Sequence, residues 1–152
     1  MAERVWYGQK PMKKFGFQEA VEQIVDEDPR YPAEAYHFVR LALDDAVKRF
    51  EKPIEGPGRH VTGGELLEGI RLYALSEFGA ITRTVLAHWG IRETIDFGHI
   101  VFNLVGKGIL GKTDEDKLED FADGYDFDRA FRTPFRPRRN VNVAAKRLPE
   151  EA

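Results

Sequence analysis

A mainly helical α+β fold is predicted for this chain of 152 residues. It comprises two N-terminal helices packed on a winged helix-turn-helix-like three-helix unit with a short β-hairpin, followed by an extended C-terminal tail. Three observations predict it. Apolar residues recur three and four apart through the first two-thirds of the chain. Glycine and proline interrupt that pattern at short intervals. After Gly108 the helical period gives way to a short apolar run, a polar turn and an irregularly alternating stretch. At 42% hydrophobic residues the chain is too apolar to be wholly disordered, and it is long enough to hold one core without staples. The division expected is one globular domain over 1–131, with a helical pair at 15–52 and the winged-helix-like unit at 62–131, and a basic flexible tail over 132–152.

The elements follow in order. Phe17, Ala20, Val21, Ile24 and Val25 form one face of a first helix, which Asp28-Pro29 stops because the residue before a proline avoids the helical region. Pro32 suits the first turn of a second helix, whose stripe of Tyr36, Val39, Leu43, Ala46, Val47 and Phe50 runs on to Pro53. The Pro/Gly-rich stretch Lys52 to Gly58 reads as a loop. Thr62-Gly63-Gly64-Glu65 has the spacing of a capping box and predicts a helix from about Gly63 to Phe78. Gly79 breaks it. Ala80 to Trp89 forms a short helix with Ile81, Val85, Leu86 and Trp89 inward, and Gly90 ends it. Thr94 caps the next helix, through Ile95, Ile100, Val101, Leu104 and Val105, which stops at Gly106-Lys107-Gly108. Ile109 to Lys112 suits a strand, Thr113 to Lys117 a turn, and Leu118 to Phe127 a returning strand. Three helices followed by a hairpin is the order of a winged helix.

The segments Phe78-Gly79, Val85-Leu86, Trp89-Gly90-Ile91 and Asp96 to Val105, together with Tyr31 to Leu43 and Gly124 to Phe127, resemble a small family of uncharacterised bacterial proteins. The resemblance covers about Phe15 to Phe131. It implies a bacterial domain with a winged-helix-like core and transfers no functional residue.

Composition narrows the function classes. The absence of Cys excludes disulfides, zinc fingers, iron–sulfur clusters and thiol nucleophiles, and agrees with a reducing compartment. No apolar run approaches the length needed to cross a bilayer, and the first residues lack the basic-then-apolar order of a secretory signal, so a cytoplasmic protein is expected. No enzyme motif is present. The four His form no His-x-x-x-His pair, and Ser76, the single Ser, lies mid-helix and outside any nucleophile elbow. Gly106-Lys107-Gly108 follows a helix where a phosphate loop would precede one. An EF-hand ending its turn at Gly124 would need an oxygen donor where Phe121 stands. No catalytic residue, metal site or cofactor is therefore expected.

The charge is unevenly spread. Gly111 to Ala130 holds eight acids and three bases, whereas Arg132 to Pro149 holds six bases and no acid. A winged helix would read duplex DNA through its third helix, yet Thr94 to Val105 contains no Lys or Arg, and its polar residues Asp96, His99 and Asn103 occupy one narrow stripe. That helix is expected to be buried, with sequence-specific duplex reading disfavoured. Two readings remain. One is a non-enzymatic module that binds a protein partner or self-associates, with Asp114, Glu115, Asp116, Glu119 and Asp120 as contacts. The other is an RNA- or ribosome-associated factor in which Arg132, Arg136, Arg138, Arg139, Lys146 and Arg147 follow phosphates and Phe135 stacks on a base, extended by Arg71, Arg83 and Arg92 if these share a face. An enzyme without a sequence motif comes last. The aromatic residues outside the helices, among them Phe121, Tyr125, Phe127 and Phe131, are expected to fold back onto the core.

Overall fold

A helix with a wide apolar face must be covered along that face, and the second helix is of that kind. The computed structural model describes residues 14–53 and 60–137. Among them the order is α1 (Lys14–Glu27), α2 (Ala33–Arg49), α3 (Gly63–Phe78), α4 (Thr82–His88) and α5 (Thr94–Gly106). Short 3-10 turns lie at Gly79–Ile81, Leu118–Phe121 and Thr133–Phe135, and a π turn at Asp128–Arg132. Eight residues of α2 are buried, from Ala35 to Val47, and α1, α3 and α5 pack around it.

The start and stop signals work as their chemistry requires. The Thr62 hydroxyl accepts the Glu65 N–H at 3.1 Å, and the Glu65 carboxylate accepts the Thr62 N–H at 3.1 Å, so the capping box opens α3. At the crossing of α2 and α3 a side chain on Gly69 would stand 2.6 Å from the Ala46 Cβ, and glycine alone lets the two backbones approach so closely. Gly90 ends α4 at φ +82°, and its missing side chain makes room for the Arg30 carbonyl of the α1–α2 turn.

The predicted β-hairpin is absent, and so the winged-helix-like α+β class is corrected: the described residues are helices and turns with no strand. Both proposed strands lose their backbone donors to nearer acceptors. The N–H groups of Ile109 and Leu110 turn back to the Leu104 carbonyl (3.0 and 3.5 Å), closing the end of α5, while their side chains remain buried. In the second stretch the Asp120 N–H goes to the Lys117 carbonyl at 3.0 Å, the Ala122 N–H to the Glu119 carbonyl at 3.0 Å and the Gly124 N–H to the Thr94 hydroxyl at 2.9 Å. At its flanks Asp116, Asp120 and Asp126 accept the N–H groups of Thr113, Lys117 and Arg129, so the chain curls where a ladder would need it extended.

Two local expectations also change. Thr94 is the first residue of α5 and does not cap it. Its hydroxyl donates to the Phe121 carbonyl at 2.6 Å and accepts the Gly124 N–H at 2.9 Å, clamping the C-terminal segment to the helix. Ile81, expected inward, is 59% exposed.

The C-terminal segment covers the core as expected. Phe121, Phe127 and Phe131 are buried, Phe127 meets Phe131 edge-on at 5.1 Å, and the Tyr125 hydroxyl donates to the Leu67 carbonyl at 2.8 Å. The ring of Phe121 lies across α5 at Gly98, where a Cβ would come within 2.9 Å of its Cγ. Of the tail, residues 132–137 are described and continue in turns, and 138–152 lie outside the described residues. The loop expected at Lys52 to Gly58 falls mostly outside them as well, at 54–59.

Gly69→Ala is expected to destabilise the protein by about 1–3 kcal/mol, since the new methyl must displace Ala46. Gly64→Ala, with nothing within 4 Å, is expected to be neutral or stabilising. Urea unfolding of both variants checks the contrast, and equal midpoints would contradict the close crossing.

Candidate functional site

The polar stripe of α5 faces inward, toward the turn between α1 and α2. The Asp96 carboxylate accepts the N–H groups of Arg92 (2.8 Å) and Glu93 (3.1 Å) with one oxygen and the Tyr31 hydroxyl (2.6 Å) with the other. The Asn103 amide donates to the Tyr36 hydroxyl at 2.9 Å and to the Asp28 carboxylate at 3.0 Å. Arg30 completes the group with a two-pronged contact to Asp28 at 2.7 and 2.9 Å. The Arg30 guanidinium holds the Asp28 carboxyl far below the usual range, with help from Asn103. Burial, and then the hydrogen bond to Asp96, push the Tyr31 phenol up. Phe97, Ile100, Val101 and Leu104 on the same helix are buried. This helix is a structural strut with no basic face for a groove.

Of the described cations proposed for nucleic acid, Arg71, Arg83 and Arg132 are paired with carboxylates, whereas Arg92 and Arg136 are exposed. Arg71, Arg83 and Arg92, far apart in sequence, all flank the C-terminal segment. Arg71 pairs with Glu68 at 3.0 Å and senses Tyr125. Arg83 reaches Asp128 from α4, and Arg132 approaches the same carboxylate at 3.8 Å. Arg92 is exposed and borders a recess with Asp123, Tyr125 and Asp126. Phe135 is 46% exposed, and Arg136 beside it is exposed. Arg138, Arg139, Lys146 and Arg147 lie outside the described residues.

Of the acids proposed for protein contact, Asp114, Glu115, Asp116 and Asp120 line one open recess of about 740 Å³ with His60 and the first turn of α3, whereas Glu119 is exposed beside it. Much of this negative charge is used internally. Asp116 also accepts the Thr113 hydroxyl at 3.1 Å and stands 3.5 Å from the His60 imidazole. Asp120 packs where a Gly63 side chain would begin, so it sits at the positive end of the α3 dipole.

Among the described residues no group of three or more His or carboxylate side chains could hold a metal ion. The apolar cavity among Phe17, Leu43, Leu66, Val101 and Leu104 holds about 10 Å³, space for one water at most. His88 is exposed, and His37 stacks edge-on against Phe17 at 5.1 Å.

The surface that does stand out is aromatic. Phe38 of α2 is buried beneath Tyr73, Phe78 and Trp89, with ring centroids 5.6, 5.6 and 5.5 Å away, and these three upper rings are only half-buried. Phe78 and Trp89 meet edge-on at 5.9 Å. Leu41, 52% exposed, lies three residues beyond Phe38 on the same side of α2. Ile81 lies three residues beyond Phe78. No family model, curated protein or solved structure matches the chain. The patch must therefore be read from its own chemistry.

Burial raises the Tyr73 phenol pKa first, and the carboxylates of Glu77, Asp45 and Asp44 raise it further, although Asp45 is paired with Arg49 on the same helix. Glu34, one turn before Phe38, is exposed. Sequence reasoning missed this site because each ring fits an amphipathic helix on its own, and the four meet only where three helices converge. The one local signal was the break at Gly79 directly after Phe78.

The low Asp28 pKa gives a signed pH effect. A carboxyl depressed on folding stabilises the native state above its unfolded value near 3.9, and that contribution is lost as pH falls below it. Asp28→Asn is expected to lower stability at neutral pH and to flatten the decline between about pH 4 and pH 2. Urea midpoints across that range check it, and parallel pH profiles for variant and parent would contradict it.

Proposed function

We propose that this chain is a non-enzymatic interaction module of the bacterial cytoplasm, which binds a protein partner or a second copy of itself through the α2–α3–α4 aromatic patch. The observation that carries the reading is the cluster of partly buried Tyr73, Phe78 and Trp89 over Phe38, with exposed Leu41 and Ile81 near it in the chain. Rigid aromatic side chains supply large contact area at small entropic cost, and clustered aromatics fit an apolar segment. The absence of Cys agrees with a reducing compartment, and among the described residues no helix is long and apolar enough to cross a membrane.

RNA contact through the tail is the second reading. It draws on Phe135, exposed between Arg132 and Arg136. The pairing of Arg71 with Glu68 and of Arg83 and Arg132 with Asp128 weighs against it, because a cation already neutralised releases fewer counterions on meeting a phosphate.

The double variant Leu41→Lys, Ile81→Lys separates these readings. Both positions are exposed, so stability should change by no more than about 0.5 kcal/mol per site. The parent is expected to retain a partner from nuclease-treated lysate, or to self-associate in sedimentation, and the variant to lose either property. Equal behaviour of parent and variant would remove the patch from consideration. Retention abolished by nuclease, with affinity for RNA falling steeply as salt rises, would favour the tail reading.

A further inference from the structure

We infer that the peptide bond between Asp123 and Gly124 is a site of spontaneous isoaspartate formation, and that the Thr94 hydroxyl sets how fast it forms. An aspartate followed by glycine lets the side chain and the next backbone nitrogen close a five-membered ring, because glycine has no Cβ to obstruct the approach. Asp123-Gly124 is the one Asp-Gly pair in the chain, and there is no Asn-Gly pair. Both residues are exposed. The Asp123 carboxylate is held by no hydrogen bond or ion pair among the described residues, unlike Asp116, Asp120, Asp126 and Asp128 around it. Asp123 also stands at φ +53°, in the left-handed region, where a residue other than glycine is held by its surroundings and relaxes when they loosen.

The reaction is balanced by water alone. The Gly124 nitrogen attacks the Asp123 Cγ and forms a new C–N bond, and its proton leaves with the carboxyl hydroxyl as water, giving a succinimide. Water then adds to either ring carbonyl. Addition at Cγ breaks the new bond and restores aspartate. Addition at the backbone carbonyl carbon breaks the original bond to Gly124 and leaves the chain running through the side chain.

The fold opposes the first step. The Gly124 N–H donates to the buried Thr94 hydroxyl at 2.9 Å, and that hydroxyl donates to the Phe121 carbonyl at 2.6 Å. A Cβ on Gly124 would stand 2.6 Å from the Leu67 Cδ1, so the backbone lies close against α3 and has little room to turn. Attack therefore waits for the turn to lift, and the open population sets the rate. The product cannot close the turn as before. It has one more backbone atom between Phe121 and Gly124, the two residues that Thr94 grips, and Tyr125, bonded to the Leu67 carbonyl, is displaced with them.

The full chain is incubated warm at mildly acidic pH, and peptide mass spectrometry, after digestion by a protease that cuts before aspartate but not before isoaspartate, locates the product. Isoaspartate is expected to accumulate at position 123 ahead of every other Asp. Thr94→Val should form it roughly five- to thirtyfold faster, the gain in open population for one or two net hydrogen bonds lost. Thr94→Ser, which keeps the hydroxyl, should match the parent, and Asp123→Glu, which cannot close a five-membered ring, should form none. Hydrogen exchange at Ile100 and Leu104 shows whether the Val variant is folded. Should it unfold, the ratio of the parent's rates in urea and in buffer replaces it, and a ratio near unity overturns the inference. Isoaspartate absent at position 123, formed chiefly at another Asp, formed at equal rates in the parent and a folded Thr94→Val, or formed as fast in Thr94→Ser as in Thr94→Val would each overturn it as well.

Discussion

The hydrogen-bonded clamp between the α1–α2 turn and α5 is the constraint from which the remaining geometry follows. Helix α5 must bury apolar residues on most of its circumference, and its few polar groups are spent on fixing where it lies: Asp96 on Tyr31, Asn103 on Tyr36 and Asp28. A buried polar group that found no partner would cost about 1–3 kcal/mol, so the clamp selects one rotation and one axial position of the helix. With α5 set, Thr94 and Gly98 are set. Thr94 grips the backbone at Phe121 and Gly124, and Gly98 receives the Phe121 ring. The segment so held carries Asp128 to Arg83, and α4 is thereby fixed with Ile81 at one end and Trp89 at the other. The aromatic surface is thus the far end of a chain of contacts that begins in the interior.

What could be read from the sequence, and what could not, divides along the range of the interaction. The capping box at Thr62 and Glu65, the stop at Asp28-Pro29 and the glycine ends of α4 and α5 depend on residues within one turn, and their spacing revealed them. The hairpin failed where two local options competed. Ile109 and Leu110 have strand-like side chains, but a helix end with free carbonyls stood five and six residues away, and a partner strand would have had to come from a stretch of Asp residues that bond their own backbone. Thr94 misled differently: its hydroxyl was read as serving its own helix, when its partners lie 27 and 30 residues ahead. The aromatic patch, drawn from α2, α3 and the end of α4, had no signature within any single segment.

Charge follows a similar pattern of internal use. The acidic stretch and the basic tail invite a reading in terms of external partners, yet several carboxylates of the acidic stretch have work within the chain. Asp116 and Asp120 shape a loop at the head of α3, Asp126 receives the Arg129 N–H, and Asp128 ties Arg83 to Arg132. The Asp128 pairs neutralise two of the arginines that a polyanion would otherwise meet, whereas the backbone contacts of Asp116, Asp120 and Asp126 shape the chain and leave their charge in place. What remains distinctive at the surface is uncharged ring area. The molecule therefore presents shape and apolar area where its composition had suggested electrostatics.

Thr94 also couples two events that a list of elements would treat as separate. The same hydroxyl sits on the first residue of α5 and on the backbone of the 121–124 turn, so fraying of the helix start removes the anchor of the turn, and lifting the turn unsatisfies the helix start. Opening of either should expose both together. Amide protons at the beginning of α5 and around Gly124 would then exchange with solvent as one cooperative unit, even though nearly a fifth of the chain separates them.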